Sequence, residues 1–470
     1  MDQSSPPEVA ALDDLRALLG HEHVLTGEAL APWRRDWTGK WLAAPLAAVR
    51  PGSTAEVSEV VRIAARHALA IVPVGGNTGL VGGTANQGAL MVSLERMAAI
   101  HEVNPRDGTI VVEAGAILSD VHDAAAAHDL AFPLTFGARG SARVGGFLST
   151  NAGGSNVVRY GSTRGLVLGL EVVLADGRVL DLMSRLRKDN TGYALRDLFV
   201  GAEGTLGIIT AAVLRLVPRP RHHAAALAAV RDLSAALALL RALQAASEGA
   251  VEAFEYMPRS YMEALARHRP DLRQPFAVHD HAVMIDLGGL ARPMGDVLEA
   301  VLGEALERGD VLDAALSQNE AQRRAIWEMR EAAAEVTFTR LPIVDSDVAL
   351  PLDAVDRFIE GMHARLRAMD PGAETLLVAH LGDGNVHLTI YPTGDDRLDA
   401  LREMVEDVTV ALGGSVSGEH GIGLSKLETM RRRKDPVALD VMRALKRALD
   451  PGDRMNPGKV VPPSSPAPLG

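Results

Sequence analysis

The chain has 470 residues, a formal net charge of −12 with histidine neutral, and no cysteine. It is longer than one hydrophobic core usually organises, and its composition of 47% hydrophobic and 23% charged residues is ordinary for a globular protein, which excludes a small binding module and a disordered chain. The acidic balance argues against nucleic acid as a partner. Without cysteine, any metal must be held by His, Asp or Glu.

The first 44 residues predict an N-terminal helical segment. They begin MDQSSPPEVAALDD, without the basic and apolar runs of a secretory signal or the Arg-rich character of a transit peptide, which favours a cytoplasmic protein. The most apolar stretch, residues 232–247, contains Arg241 and is shorter than the roughly 20 residues that cross a bilayer. We therefore expect no membrane span.

The fold is predicted to be α+β, with two main domains. Residues 45–220 alternate helical periodicity, as in AEVSEVVRIAARH, with short apolar strands such as AIVPV and TIVVEAG. A Pro-Arg-Pro sequence at 218–220 marks a boundary. Residues 221–420 predict an antiparallel sheet covered by helices, which would form a substrate and metal-binding (cap) domain. Residues 421–470 return to helix and are predicted to pack back on the first domain.

Glycine clusters dominate the first domain. A predicted strand leads into the loop GGNTGLVGG at 75–83, whose backbone N–H groups can approach an anion such as a pyrophosphate. This loop has neither the Rossmann nor the P-loop spacing. Two more clusters follow at 137–154 and 201–210. Three close-approach segments in one domain predict an extended ligand with a phosphate end and a flat end, as in a dinucleotide.

A histidine hairpin is predicted in the second domain. His380 and His387 flank the sequence LGDGNV between two apolar runs. If Asp383 and Gly384 form a two-residue type I′ turn, the two histidines pair directly across the hairpin with Cβ atoms roughly 5 Å apart. That spacing suits two ligands on one cation. A third ligand could come from SGEHG at 417–421, where glycines flank the Glu-His pair.

The motifs together carry a family resemblance. The segments GGNTGLVGG, VGGFLSTNAGG, RYG, LGLEVVLADG and GAEGTLGIIT resemble the FAD-binding domain of the vanillyl-alcohol oxidase and p-cresol methylhydroxylase type. The segments HLGDGNVHL, SGEHGIGLSK and NPGKV resemble its branch of D-2-hydroxy-acid dehydrogenases, which includes D-lactate, D-2-hydroxyglutarate and glycolate flavoenzymes. The likeness runs from about residue 45 to 460 and implies a two-subdomain FAD-binding domain followed by the cap domain.

The resemblance places the flavin pyrophosphate on the first glycine cluster. It implies that the adenosine and isoalloxazine path is lined by residues 141–154 and by Ile209. Relatives with covalently attached flavin generally carry a histidine in the pyrophosphate loop, and this chain has Asn77 and no histidine there, so we expect a non-covalent FAD. The residues expected to bind the cofactor are Pro73, Gly75, Gly76, Asn77, Thr78, Gly79, Ser141, Gly145, Gly146, Thr150, Asn151, Gly153, Gly154, Gly204, Ile209 and Asn456.

The resemblance also implies a divalent metal held by His380, His387 and Glu419. We expect zinc first, although His and carboxylate ligands also suit Mn²⁺ and Fe²⁺. His420 is the predicted general base. Arg330 matches a position that clamps a substrate carboxylate, the alternative being a solvated arginine on a helix face that pairs with Glu331 or another neighbour. Asn385 is predicted to hydrogen-bond the substrate carboxylate.

The predicted activity is the metal-assisted oxidation of a D-2-hydroxy acid to the 2-oxo acid by hydride transfer to flavin N5. Electrons would pass to an external carrier, which could be an electron-transfer flavoprotein, a quinone or a cytochrome. The protein could form a homodimer. Relatives that use D-2-hydroxyglutarate commonly have a lysine where this chain has Asp345, which favours a monocarboxylate such as D-lactate.

Three alternatives stay open at this point. The enzyme could be a D-2-hydroxyglutarate dehydrogenase despite Asp345. It could be the flavin subunit of a glycolate- or lactate-oxidising complex that is inactive alone. A metallohydrolase or metal-binding module with purely structural glycine loops is the alternative from another class.

Overall fold

Residues 6–463 are described by a computed structural model of the chain. Up to residue 220 they form two main sheets with helices packed on them. The first sheet has four strands, in the order Val24–Leu25, Ala47–Val49, Leu90–Ser93 and Ile71–Val74. The second has five antiparallel strands, in the order Ile100–Asn104, Thr109–Glu113, Ile208–Arg215, Val167–Val173 and Val179–Leu182. A short pair joins Leu130–Ala131 to Val217–Pro218. The α-helices are Pro6–Leu19, Thr54–Arg66, Leu118–Ala126, Val144–Ser149, Val157–Tyr160 and Thr163–Leu166.

Local sequence explains why these elements form. The helix Thr54–Arg66 begins at Ser53, whose side chain accepts the N–H of Glu56, while the Glu56 carboxylate accepts the N–H of Gly52. Its apolar residues recur at helical spacing and are buried in the core. The predicted strand in AIVPV is confirmed as Ile71–Val74. The N-terminal segment is not helical throughout, because Val24–Leu25 pairs with Ala47–Val49.

The second domain is built on one antiparallel sheet, as predicted, and this sheet has seven strands. The strand order is Val311–Leu316, His222–Val230, His281–Gly289, Val251–Pro258, Glu374–His380, Asn385–Tyr391 and Val344–Ala349. The α-helices of this domain are Leu233–Ala246, Arg259–His268, Gly295–Glu307, Glu320–Glu331, Ala333–Thr337, Val355–Met369 and Leu398–Ala411.

Both faces of this sheet are buried, and one of them leads to the site. Because side chains alternate along a strand, Ala226 and Phe254 enter one apolar core while Leu227 and Met257 enter another. Val378 belongs to the second core. His380, two residues further along the same strand, therefore lies on that face, which the helix Glu320–Glu331 also covers.

The C-terminal segment returns to the first domain, as predicted. After the helices Leu427–Arg433 and Pro436–Leu449, Met455 forms a parallel bridge with Ile71 at the edge of the first sheet. The N–H of Ile71 donates to Arg454 and the N–H of Asn456 donates to Ile71, both at 2.7 Å. Within residues 6–463, no helix is long and apolar enough to cross a membrane.

Candidate active site

One large cavity lies between the glycine-rich loops and the seven-stranded sheet. Its volume is about 1130 Å³, whereas sites for a single small ligand usually occupy roughly 300–1,000 Å³. The glycine clusters contribute one part of its wall, and His380, His387, Glu419 and His420 contribute another. Both predicted sites therefore open into the same space, which is large enough for an extended cofactor and a substrate.

The first glycine loop is shaped for an anion. The backbone N–H groups of residues 76–79 donate to no acceptor among residues 6–463, so they are available to a ligand. A Cβ on Gly76 would lie 2.0 Å from the carbonyl oxygen of Ser141, which means that only glycine fits there. This contact joins the first cluster to the second. The loop thus fits the pyrophosphate of FAD.

Asn77 fixes the conformation of this loop. Its φ angle is 53°, its side-chain amide donates to the carbonyl of Arg35, and its side-chain oxygen accepts from Thr84, both at 2.8 Å. These bonds hold the loop without a histidine.

Every residue predicted to bind the cofactor lines the cavity except Asn151. The side-chain oxygen of Asn151 instead accepts the N–H of Arg164 at 2.8 Å, so this side chain is held outside the cavity wall. Asn456 donates to the carbonyls of Gly83 and Glu203 at 3.0 and 2.8 Å. The side-chain oxygen of Asn456 is buried and has no partner among the described residues.

The histidine hairpin forms with a different register from the predicted one. His380 pairs with Asn385, and His387 pairs with Val378, so the loop contains four residues, 381–384, rather than two. The N–H groups of Asp383 and Gly384 both donate to the carbonyl of His380, which closes this longer loop. The two histidines are diagonal neighbours on one face, with ring centroids 5.3 Å apart.

His380, His387 and Glu419 form a candidate metal site. Their donor atoms all lie within 4.8 Å of one another, and Nε2 of each histidine is 3.9 Å from a carboxylate oxygen of Glu419. Burial lowers the pKa of His387 well below its usual value, which keeps that ring neutral and able to ligate. Two imidazoles and one carboxylate fit a divalent cation with open coordination positions.

Glu255, which the sequence analysis missed, orients two of the predicted site residues. It is fully buried, and its carboxylate lies 2.8 Å from both Nδ1 of His380 and Nε of Arg330. Burial would raise the pKa of Glu255, but His380 and Arg330 outweigh it and hold that pKa at about 2. The ionised carboxylate directs Nε2 of His380 toward the metal site, as carboxylates behind histidine ligands do.

Arg330 is not the solvated arginine of the alternative interpretation. It is 8% exposed and bonded to Glu255, and it lines the cavity. Its neighbour Glu331 pairs with Arg139 instead. Because Nε alone is engaged with Glu255, the two terminal nitrogens can bind a substrate carboxylate.

Asp347 connects the hairpin to the turn that carries Glu419 and His420. Its buried carboxylate accepts the N–H groups of Glu419 and His420 at 3.1 and 2.9 Å and the side-chain amide of Asn385 at 2.8 Å. Burial opposes its ionisation, yet His420 and Lys426 hold the pKa of Asp347 well below its usual range. The sequence analysis gave this aspartate no role.

A second set of donors, Asp347, His387 and His420, also lies within 4.8 Å. Both oxygens of Asp347 already accept N–H groups, so the first set is the better metal site. The His420 ring lines the cavity, and its Nδ1 lies 3.6 Å from the Asp347 carboxylate, close enough for an ion pair but not for a hydrogen bond.

Asn385 does not play its predicted part. It is 4% exposed and is absent from the cavity wall. Its amide nitrogen donates to Asp347 and to the carbonyl of Val348, so neither N–H group is available to a substrate carboxylate. The structure corrects this prediction: Asn385 supports the site from behind.

Asp345 lies on the cavity wall beside the metal site. It pairs with Thr389 across the sheet and accepts its hydroxyl at 3.2 Å. Asp347, two residues along the same strand, pairs with His387, so Asp345 shares the face that carries the metal donors. Arg340 cannot compensate its charge, because that guanidinium pairs with Glu374 and stacks on Tyr391.

Comparisons with known proteins agree with this geometry. Residues 45–183 match the family described as FAD binding domain, and residues 219–460, more than half of the chain, match FAD linked oxidases, C-terminal domain. The chain belongs to the FAD-linked oxidases. This membership excludes the alternative in which the glycine loops are purely structural.

Relatives of this FAD-linked oxidase extend along almost its whole length. A D-2-hydroxyglutarate dehydrogenase of Xanthomonas citri pv. viticola is 36% identical over 440 residues, which cover 92% of each protein. The mitochondrial D-2-hydroxyglutarate dehydrogenase of Bos taurus is 36% identical over 474 residues, covering 98% of this chain and 85% of that protein. These relatives place this FAD-linked oxidase in the branch of FAD-dependent D-2-hydroxy-acid dehydrogenases, as its motifs predicted.

A solved structure of p-cresol methylhydroxylase with substrate bound has the same fold. Its TM-score is 0.76 at 18% identity, and the match covers 98% of each chain. The predicted fold class is thereby confirmed.

Proposed function

We propose that the protein oxidises a D-2-hydroxy acid to the 2-oxo acid with the help of a divalent metal, zinc being the first candidate. The observation that carries this proposal is the meeting of His380, His387 and Glu419 in the same cavity that the flavin loops line. Bound FAD supplies the hydride acceptor. A bound metal supplies a Lewis acid that lowers the pKa of the substrate hydroxyl.

The remaining chemistry belongs to side chains of this chain. Arg330 holds the substrate carboxylate through its terminal nitrogens. His420 takes the hydroxyl proton, and Asp347 keeps its ring in place. Together they orient the Cα–H bond toward the flavin wall.

Within this class, we propose that a monocarboxylate such as D-lactate is preferred to D-2-hydroxyglutarate. Asp345 supports this preference because it places an anion on the face that carries the metal donors. Residues two apart on a strand are separated by roughly 6–7 Å, so a substrate chelated at the metal would extend its tail toward Asp345. A second carboxylate there would be repelled.

A steady-state comparison tests the substrate preference. We expect kcat/KM for D-lactate or a longer monocarboxylic D-2-hydroxy acid to exceed that for D-2-hydroxyglutarate and D-malate by about tenfold or more. Asp345→Lys should narrow this gap, because it replaces repulsion by attraction, whereas Asp353→Lys, outside the cavity wall, should leave the gap unchanged. Greatest efficiency with D-2-hydroxyglutarate in the unmodified protein would show that Asp345 does not face the substrate tail.

D-2-hydroxyglutarate is the second candidate substrate, because the relatives described above are named D-2-hydroxyglutarate dehydrogenases.

The electron acceptor is proposed to be an external carrier, either an electron-transfer flavoprotein, a quinone or a cytochrome. Anaerobic bleaching of the flavin by the hydroxy acid alone, followed by reoxidation with each acceptor class, tests this part. A chain that is not reduced until partner subunits are added would instead be the flavin subunit of a complex.

A further inference from the structure

The turn that carries Glu419 and His420 is held by carboxylates from both domains. On the cap side, Asp347 accepts the N–H groups of these two residues. On the flavin side, the Glu203 carboxylate accepts the N–H groups of Ile422 at 2.7 Å and of Gly423 at 2.9 Å, both in the same turn. The position of the turn therefore depends on both carboxylates, Asp347 and Glu203.

Glu203 belongs to the cofactor wall of the cavity. It lies in the third glycine cluster and has a left-handed φ of 51°, a conformation that a non-glycine residue adopts at a cost. Its N–H donates to the carbonyl of Ser149, and its own carbonyl accepts from Asn456, both at 2.8 Å. Ser149 and Asn456 also line the cavity. The backbone of Glu203 is thus bonded to two residues of the cavity wall.

The turn packs closely on this support. A Cβ on Gly421 would lie 2.7 Å from the Glu203 carboxylate, so no side chain could stand between them. The carbonyl of Val81, in the first glycine loop, accepts the N–H groups of Leu424 and Ser425 at 2.9 and 3.1 Å. Burial raises the pKa of Glu203 although it accepts two N–H groups. The flavin wall and the turn therefore form one continuous set of contacts.

We propose that Glu203 is a positioning residue that couples the flavin site to the metal site. FAD orders the wall that contains Glu203, Glu203 sets the turn, and the turn sets Glu419 against the two histidines. Because coupling between two ligands is reciprocal, metal at this site also strengthens FAD binding by the same factor. This inference rests on the metal site of the proposed function.

The test measures FAD affinity in the full-length protein with and without metal. The FAD dissociation constant is obtained from flavin fluorescence, once with saturating Zn²⁺ and once after chelation. In the unmodified protein we expect chelation to weaken FAD binding about fivefold or more, the lower end of typical couplings. In Glu203→Ala the ratio of the two constants should fall to about one, and Glu203→Gln, which retains one acceptor, should give an intermediate ratio.

Glu171→Ala is the matched control. Glu171 accepts the hydroxyls of Thr54 and Thr210 within the flavin domain and has no contact with the turn, so its loss should leave the ratio unchanged. Suppose that Zn²⁺ binds the unmodified protein and fails to bind His380→Ala, but the two FAD dissociation constants of the unmodified protein are equal. That result would overturn the coupling and leave the proposed metal site intact. Failure of Zn²⁺ to bind at all would overturn the proposed metal chemistry itself.

Discussion

At the scale of single residues, the site depends on side chains placed behind those that face the cavity. Glu255 directs His380 and Arg330, and Asp347 holds Glu419 and His420. The sequence pointed to the donors because His and Glu near glycines are conspicuous. It did not point to Glu255, which lies 125 residues before His380 in the chain. The available signal was a charged residue within the apolar strand Val251–Pro258, and charge inside a core requires a partner.

Replacing His380 or His387 by Ala should abolish turnover and metal binding, while FAD still binds with the weaker affinity expected of the metal-free protein. The physical reason is that each histidine supplies one of three metal donors, whereas the loops that fit FAD belong to other segments of the chain. Metal content by elemental analysis, flavin absorbance and kcat check this expectation on the same samples.

His363→Ala provides the control for the loss of an imidazole from the same domain. His363 contacts Thr375 and does not line the cavity, so this variant should keep metal, flavin and turnover. If His380→Ala retains both its metal and its activity, the hairpin is structural.

At the scale of elements, the hairpin shows what a sequence motif leaves undetermined. Its two strands and their shared histidine face follow from apolar runs around the Asp-Gly pair. The loop length does not, because Gly384 takes its positive φ of 82° at the end of a four-residue loop as readily as within a two-residue turn. Because the loop length was undetermined, the sequence did not show where Asn385 lies. Asn385 pairs directly with His380, and its side-chain amide donates to Asp347.

Gly418→Ala should separate the metal-bearing turn from Asp347. An added Cβ would lie 2.0 Å from the amide nitrogen of Asn385 and 2.8 Å from the Asp347 carboxylate, so either the turn or these two buried side chains must shift. We expect metal affinity to fall about tenfold or more with FAD retained, as measured by competition with a chelator.

Gly303→Ala is the corresponding control. Gly303 lies in the helix Gly295–Glu307 with open space around the added methyl group. This change should leave metal affinity intact and leave stability unchanged or raised by up to about 1 kcal/mol. An unaltered metal affinity in Gly418→Ala would show that the turn does not depend on Asp347.

At the scale of the whole molecule, one cavity is assembled from two domains and a returning C-terminal segment. The sequence predicted both domains and this return. The sequence could not predict how the domains meet at the site, because Glu203 contacts Ile422 and Gly423. These two residues follow Glu203 by 219 and 220 positions in the chain. A close approach of Gly153 to Glu419, where a Cβ would lie 2.6 Å from the carboxylate, likewise brings the second glycine cluster against the metal site.

The residues that line the cavity predict that the flavin is not covalently attached. The pyrophosphate loop carries Asn77, whose side chain is already bonded to Arg35 and Thr84, and the chain has no cysteine. Among the described residues, the histidines on the cavity wall are His380, His387 and His420, all on the metal side. Acid precipitation should therefore leave all of the yellow colour in the supernatant, since unfolding removes every contact that holds a dissociable cofactor. Flavin absorbance in the washed and redissolved pellet would show instead that one of these side chains reaches the flavin and bonds to it.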